Sequence, residues 1–362
     1  MVAQRHDAAN RNLNATVAKL HAMHGKMLGM KDYSALISCT SVADAAGYLK
    51  HNTHYAKTLE GIDTDAIHRG SLENILRRSI YERYFRIIGF EKIGDAEFYN
   101  FMIIKTEIDE ILICITHLNA GTTDHISTLP IYMNRYTSFD LMELAKVRSF
   151  GELLELIRHT DYYELLEKLR PEKDESGNEG HIDYAACELT LRTYYFRRLL
   201  QSAEKFGGNV SRDLRNILGT QIDMINIINA YRMTAFFNAD KEDIKARMIP
   251  IYMRIPEQRL DELYSARDEK EFLERFSKTY YGRTIAEQGF DMSRPENALS
   301  LMRHKQIKRA FSRSVSAPES FLTFVVLAET EVRNVIRIIE GIRYAVPAKE
   351  ISELIIETDG SG

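Results

Sequence analysis

The stretch AETEVRNVIRIIEGIRY, Ala328 to Tyr344, repeats its apolar residues at every third or fourth position, as one face of a helix does. With about 100° between successive residues, Val332, Val335, Ile336, Ile338, Ile339 and Ile342 cover one broad arc. Glu329, Arg333, Arg337, Glu340 and Tyr344 form the opposite stripe. Glu331 falls inside the apolar arc, between Ile338 and Ile342. A carboxylate placed there needs compensation, because an unpaired buried charge is very costly. It can sit at the rim of the face, accept hydrogen bonds across a helix pair, or face a shared cavity or docked partner. Proton relay is the weakest reading, since nothing in the sequence sets the residue within a bilayer.

The position recurs. KTEIDEILICI, GTQIDMINIIN and ETEVRNVIRII align on Thr106, Thr220 and Thr330, and Glu107 and Gln221 then stand where Glu331 stands. Other chemistry-bearing residues do not assemble into a site. His51 and His54 are three apart but have no third ligand, and they read as surface residues. Asp63 and Asp65, in GIDTD, suit a turn better than a cation site. Cys39, Cys114 and Cys187 have neither CxxC nor metal spacing and are expected as free thiols in a reducing compartment. No phosphate-binding glycine loop, HExxH or GxSxG occurs. No catalytic residue, cofactor or metal is therefore expected.

The elements that must carry these residues read as helices throughout. Segments such as SLENILRRSIYERYFRII and CELTLRTYYFRRLLQSAEKF keep the three-and-four spacing, while apolar–polar alternation and Asn-Gly or Asp-Gly turns are nearly missing. The expected fold class is all-α. Across 362 residues, 44% hydrophobic and 28% charged side chains suit a globular protein with an ample core. A net charge of −4 argues against nucleic acid as the main partner. No apolar run approaches the roughly 18 residues of a membrane span, and the N-terminus has no signal-type apolar region. A cytoplasmic protein that reaches a membrane only through a partner is expected. RHKQIKRAFSR, Arg303 to Arg313, reads as a basic helix with a solvated face, or one that contacts acidic headgroups or an acidic partner protein. RPEKDESGNEGHI, Arg170 to Ile182, reads as a surface loop, and the final TDGSG as a frayed tail.

The strongest pattern is a repeat. SVADAAGYLKHNTHY, SFGELLELIRHTDY and DEKEFLERFSKTYY each place a polar start before an amphipathic helix and end on Thr-x-Tyr, at Thr53/Tyr55, Thr160/Tyr162 and Thr279/Tyr281. The landmark threonines Thr106, Thr220 and Thr330 keep step with them, and IYM precedes the last two copies at Ile131 and Ile251 but not the first. Order and spacing point to a triplication: 1–128, 129–245 and 246–362. Units this long exceed ordinary solenoid repeats and could curl into a ring or funnel of pseudo-threefold character.

The run AETEVRNVIRIIEGIRYAVPAKEI resembles the C-terminal signature of the V-type ATPase C subunit family, the bacterial and archaeal counterpart of the eukaryotic vacuolar d subunit. The matching features are Glu331-x-Arg333-Asn334, the Ile/Val helix and the closing PAKEI. FGGNVSRDLRNILGTQIDMINIINAYRMT, with Asp223, Asn226 and Arg232, is similar to that family's central segment; the opening third resembles it more loosely. The resemblance implies an all-helical funnel of three similar subdomains and a non-catalytic role as rotor adaptor. It implies central shaft subunits and a membrane proteolipid ring as partners, with proton or sodium transport coupled to ATP. Glu331, Arg333, Asn334 and Arg337 are then expected to line or support the shaft socket. A helical scaffold for another cytoplasmic partner is the alternative, and an all-α enzyme using Glu107 and Glu331 the remaining one.

Overall fold

The structure, a computed structural model, describes residues 15–91, 97–122, 129–172 and 180–357; most of the expected surface loop and all of TDGSG lie outside them. Among the described residues the fold is all-α, with no strand. In chain order the helices are α1 (15–24), α2 (Met30–Ile37), α3 (Val42–Asn52), α4 (Arg69–Glu91), α5 (Phe101–Ala120), α6 (Leu141–Leu144), α7 (Phe150–Leu156), α8 (Asp161–Glu167) and α9 (Tyr184–Glu204). They continue as α10 (Gly208–Phe237), α11 (Lys241–Lys245), α12 (Glu257–Tyr264), α13 (Glu269–Ser277), α14 (Tyr280–Glu287), α15 (Pro295–Arg313), α16 (Ala317–Arg343) and α17 (Ala348–Leu354).

The polar starts seen in the sequence are working helix caps. Ser41 accepts from the Asp44 N–H at 3.0 Å, Ser149 from the Glu152 N–H at 3.1 Å, and Asp268 from the Glu271 N–H at 2.8 Å. Each satisfies one of the amides that a helix start leaves without a partner. In two of them the glutamate of the first turn reaches back to the backbone just ahead of the cap. The Arg148 and Arg267 N–H groups donate to Glu152 and Glu271, at 2.8 and 3.0 Å, in a variant of the capping box. The threonine of each Thr-x-Tyr ties off the preceding helix by donating to a carbonyl: Thr53 to Leu49, Thr160 to Ile157 and Thr279 to Phe276. Thr53 and Thr160 also cap the next helical turn, accepting from Tyr55 N and Tyr162 N. The sequence pattern is thus a stop-and-restart signal for the backbone.

The chain forms two compact units, one made of residues 1–95 with 280–362, the other of 96–279. At the centre of the first, α16 packs against α4, α15, α2 and α17. Its Phe321–Ala328 stretch is buried on every side, which explains a run that is apolar all round. In the second unit α9 packs on both α5 and α10. Gly207 and Gly208, at φ 67° and 52°, turn the chain between α9 and α10 in a conformation that side chains with a Cβ resist.

Candidate functional site: carboxylate joints on the landmark helices

Glu331 is buried, 2% exposed, midway along α16. Its Oε2 accepts from the Leu28 N–H at 2.7 Å. Its Oε1 accepts from Tyr55 OH at 2.8 Å and from Arg83 Nη1 at 3.0 Å, and lies 3.0 Å from His54 Nε2. The Arg83 guanidinium also donates to Tyr55 OH at 3.3 Å and stands 5.5 Å from the centre of the Tyr55 ring. Burial alone would raise the Glu331 pKa. The His54 hydrogen bond, the Arg83 and His54 charges and the Leu28 amide outweigh it and hold the carboxyl at about 2. Burial and the Glu331 charge push the Tyr55 hydroxyl well above its usual range, so it stays a donor. A carboxylate with four partners is an acceptor already in use, not a base poised for proton transfer.

α5 carries a simpler version of this joint. Glu107, 4% exposed, accepts from the Ser138 N–H and from Tyr162 OH, the latter at 2.6 Å. On α10 the acceptor is Asp223 instead, which takes the Arg254 N–H at 2.9 Å. Leu28, Ser138 and Arg254 all lie just before a short helix, α2, α6 or α12. The landmark helices therefore grip the same feature, the backbone that leads into a small capped helix pair.

A second device recurs beside the joints. The Asn226 amide spans both backbone groups of Ile249, accepting from its N–H and donating to its carbonyl at 2.9 Å each. Asn334 does the same to Ile356, donating at 3.0 Å and accepting at 2.9 Å. Arg337 Nη1 donates to the Leu354 carbonyl at 2.7 Å, and burial together with the Arg333 charge lowers its pKa. Arg333 is exposed.

Of the four residues expected from the sequence, Glu331 and Asn334 thus spend their polar atoms inside the protein, Arg337 anchors the C-terminal segment, and Arg333 faces solvent. Glu331 and Glu107 accept hydrogen bonds from neighbouring segments, and Glu331 also lines a cavity. Gln221 is half-buried. His54 departs from the expected surface role: its ring is held between Tyr55, at 4.1 Å between ring centres, and Glu331. Asp63 and Asp65 form the expected turn, with Asp65 N–H donating to Asp63 at 3.1 Å. Arg83 was missed. Its signal was its register: it follows Leu72, Leu76 and Ile80 on the buried stripe of α4, ahead of Ile87.

Next to the Glu331 joint lies a cavity of about 230 Å³. His24, Leu28 and Tyr33 line it from one end of the chain, and His304, Lys308 and Glu357 from the other. Lys308 Nζ donates to Glu357 Oε1 at 2.6 Å, and His304 Nε2 lies 3.6 Å from the same oxygen. No group of three metal-type side chains is assembled among the described residues, and none of the described helices is long and apolar enough to cross a membrane.

The buried Glu331 and Glu107 carboxylates are taken up by hydrogen bonds within the protein itself. The chain belongs to the ATP synthase (C/AC39) subunit family, whose model matches residues 16–354. It is similar to the A-type ATP synthase C subunit of Methanosphaera stadtmanae, 20% identical over 346 residues that cover 94% of this chain and 86% of the relative. The same subunit of Thermococcus gammatolerans is 21% identical over 94% of this chain and 88% of its own length. That of Methanosarcina mazei is 22% identical over 76% and 72%. The chain is a non-catalytic subunit of a rotary ATPase.

Proposed function

We propose that this protein is the rotor adaptor of its complex: it joins the central shaft subunits to the membrane proteolipid ring on the cytoplasmic face and carries torque for ATP-coupled proton or sodium transport. Membership of the family supports the complex, and the recurring carboxylate joint supports the mechanical role. Torque passes only through a body that does not shear. Helices tied to the next segment by buried, charge-assisted hydrogen bonds resist sliding better than apolar contact alone. The body consists of three similar subdomains, 1–128, 129–245 and 246–362, arranged as a funnel of pseudo-threefold character. In this reading each joint ties one subdomain to the next.

Glu331 and Asn334 then support the shaft socket from inside, while Arg333 and Arg337 present charge to it. The test is reconstitution of the purified chain with shaft subunits and with detergent-solubilised proteolipid ring. Binding to both is expected, and binding to neither would overturn the role. Arg333→Glu is expected to weaken shaft binding about tenfold or more with an unchanged urea midpoint, because Arg333 is exposed. The same change at Arg337 is a poorer probe, since it also removes the bond to Leu354. Unchanged shaft affinity in Arg333→Glu would remove that residue from the socket.

A further inference from the structure

The joints differ in a way that neither the family nor the rotor role accounts for. At Glu107 and at Asp223 the gripped amide lies only 31 residues away along a continuous chain. At Glu331 it lies 303 residues away, because the helix belongs to one end of the chain and Leu28 to the other. The Asn clamps show how closely the two ends imitate an unbroken connection. On α10, Asn226 holds Ile249 and Asp223 holds Arg254, with the backbone running through Pro250–Met253 between them. On α16, Asn334 holds Ile356 and Glu331 holds Leu28, with no short backbone segment joining those two points. The interval instead adjoins the 230 Å³ cavity that Leu28 and Glu357 both line.

We propose that the Glu331 joint is a seam: a split copy of the joints on α5 and α10, clasped by Arg83 and His54 to offset the missing covalent link, and the first place at which the protein opens. In the unfolded chain the chance that two points meet falls with the three-halves power of the length between them, so Leu28 and Glu331 meet about 30-fold less often than Ser138 and Glu107. Glu331 has two partners with no counterpart among the bonds described at Glu107, Arg83 and His54. They sit where the chain gives the least help. Opening there releases α1 and α2, while α17 and residues 355–357 stay held to α16 by Asn334 and Arg337 and lose only the cover of α2. The seam rests on this geometry alone and does not depend on the rotor role.

Hydrogen exchange of the full chain, read by mass spectrometry, tests it. Arg83→Met combined with Glu331→Gln removes the Arg83 half of the clasp without leaving either the guanidinium or the carboxylate unpaired. The expected result is exchange about tenfold or more faster in residues 28–37, and faster also in 351–357 where α17 packs on α2, with 138–145 and 249–257 unchanged. Glu107→Gln, whose joint keeps its covalent linker, is expected to change exchange at 138–145 by less than about threefold. Equal acceleration in all four segments, or none in the first two, would overturn the proposal. Should the double variant fail to fold, the wild-type protein in sub-denaturing urea decides. The seam segments must lose protection first and together; if 138–145 opens first, there is no seam.

Discussion

Two buried glutamates show how the same side chain acquires opposite pH behaviour. Glu331 is held at about 2 from an ordinary 4.5, so its contribution to stability is complete above pH 4.5 and is lost as pH falls toward 2. The wild-type urea midpoint is therefore expected to fall steeply between pH 4.5 and 2, and a variant carrying both Arg83→Met and Glu331→Gln to show a shallower acid limb. Glu110 is the reverse case. Burial, then the neighbouring Asp109 charge, raises it from 4.5 to about 7, so the folded state prefers the protonated form and loses stability as pH rises through the interval from 4.5 to 7. By about pH 8 that cost is roughly 3 kcal/mol. Glu110→Gln is expected to raise the midpoint at about pH 8 and leave it unchanged at about pH 4; a pH-independent effect would contradict the assignment. Sequence exposed Glu331 because an acid breaks an apolar pattern visibly. It hid Arg83, since a basic residue among other charges on α4 looks solvated until Leu72, Leu76 and Ile80 are put in register with it. Nor could it pair Glu331 with Leu28, a contact 303 residues away that leaves no local trace.

Helices were legible because their signals are local. Ser41, Ser149 and Asp268 begin helices where a cap-forming side chain precedes a periodic run, and the Thr-x-Tyr threonines end them. The Tyr of that motif carried no such meaning in sequence; its hydroxyl reaches an acid on a distant helix at both Tyr55 and Tyr162. The IYM landmark gains a physical role as well. Met253 packs so tightly on α10 that a Cβ at Gly219 would lie 2.7 Å from its Cε, 2.8 Å from its Cγ and 2.9 Å from its Cβ. Gly219→Ala gains helix propensity worth about 1 kcal/mol, but the clash falls partly on an atom that no rotamer change can move. A net loss of about 1–2 kcal/mol is expected from overpacking, read as a lower urea midpoint. Met253→Ala in the same background should recover part of it by removing Cγ and Cε. A stabilised Gly219→Ala protein would show that the segment moves aside freely.

At the scale of the molecule, compactness and sequence repeat divide the chain differently. The compact units break at 95/96 and 279/280, inside the first and third repeat segments rather than between segments. The joints supply the reason. α5, from the first segment, packs on α9 and holds Ser138 and Tyr162 from the second, while α16, from the third, holds Leu28 and Tyr55 from the first. Contacts thus cluster across repeat boundaries, and a body of this kind cannot be cut at a repeat boundary without breaking a buried charge-assisted bond. If the chain is the adaptor proposed above, the parts it joins must stabilise it. A partner that binds only the folded chain adds about 2.7 kcal/mol of stability at a hundredfold excess over its Kd. Purified shaft protein is expected to raise the urea midpoint of the full chain by that increment, in proportion to the logarithm of its concentration. Mg-ATP at millimolar concentration is expected to leave the midpoint where it was. A shift with nucleotide and none with the shaft would remove the adaptor role.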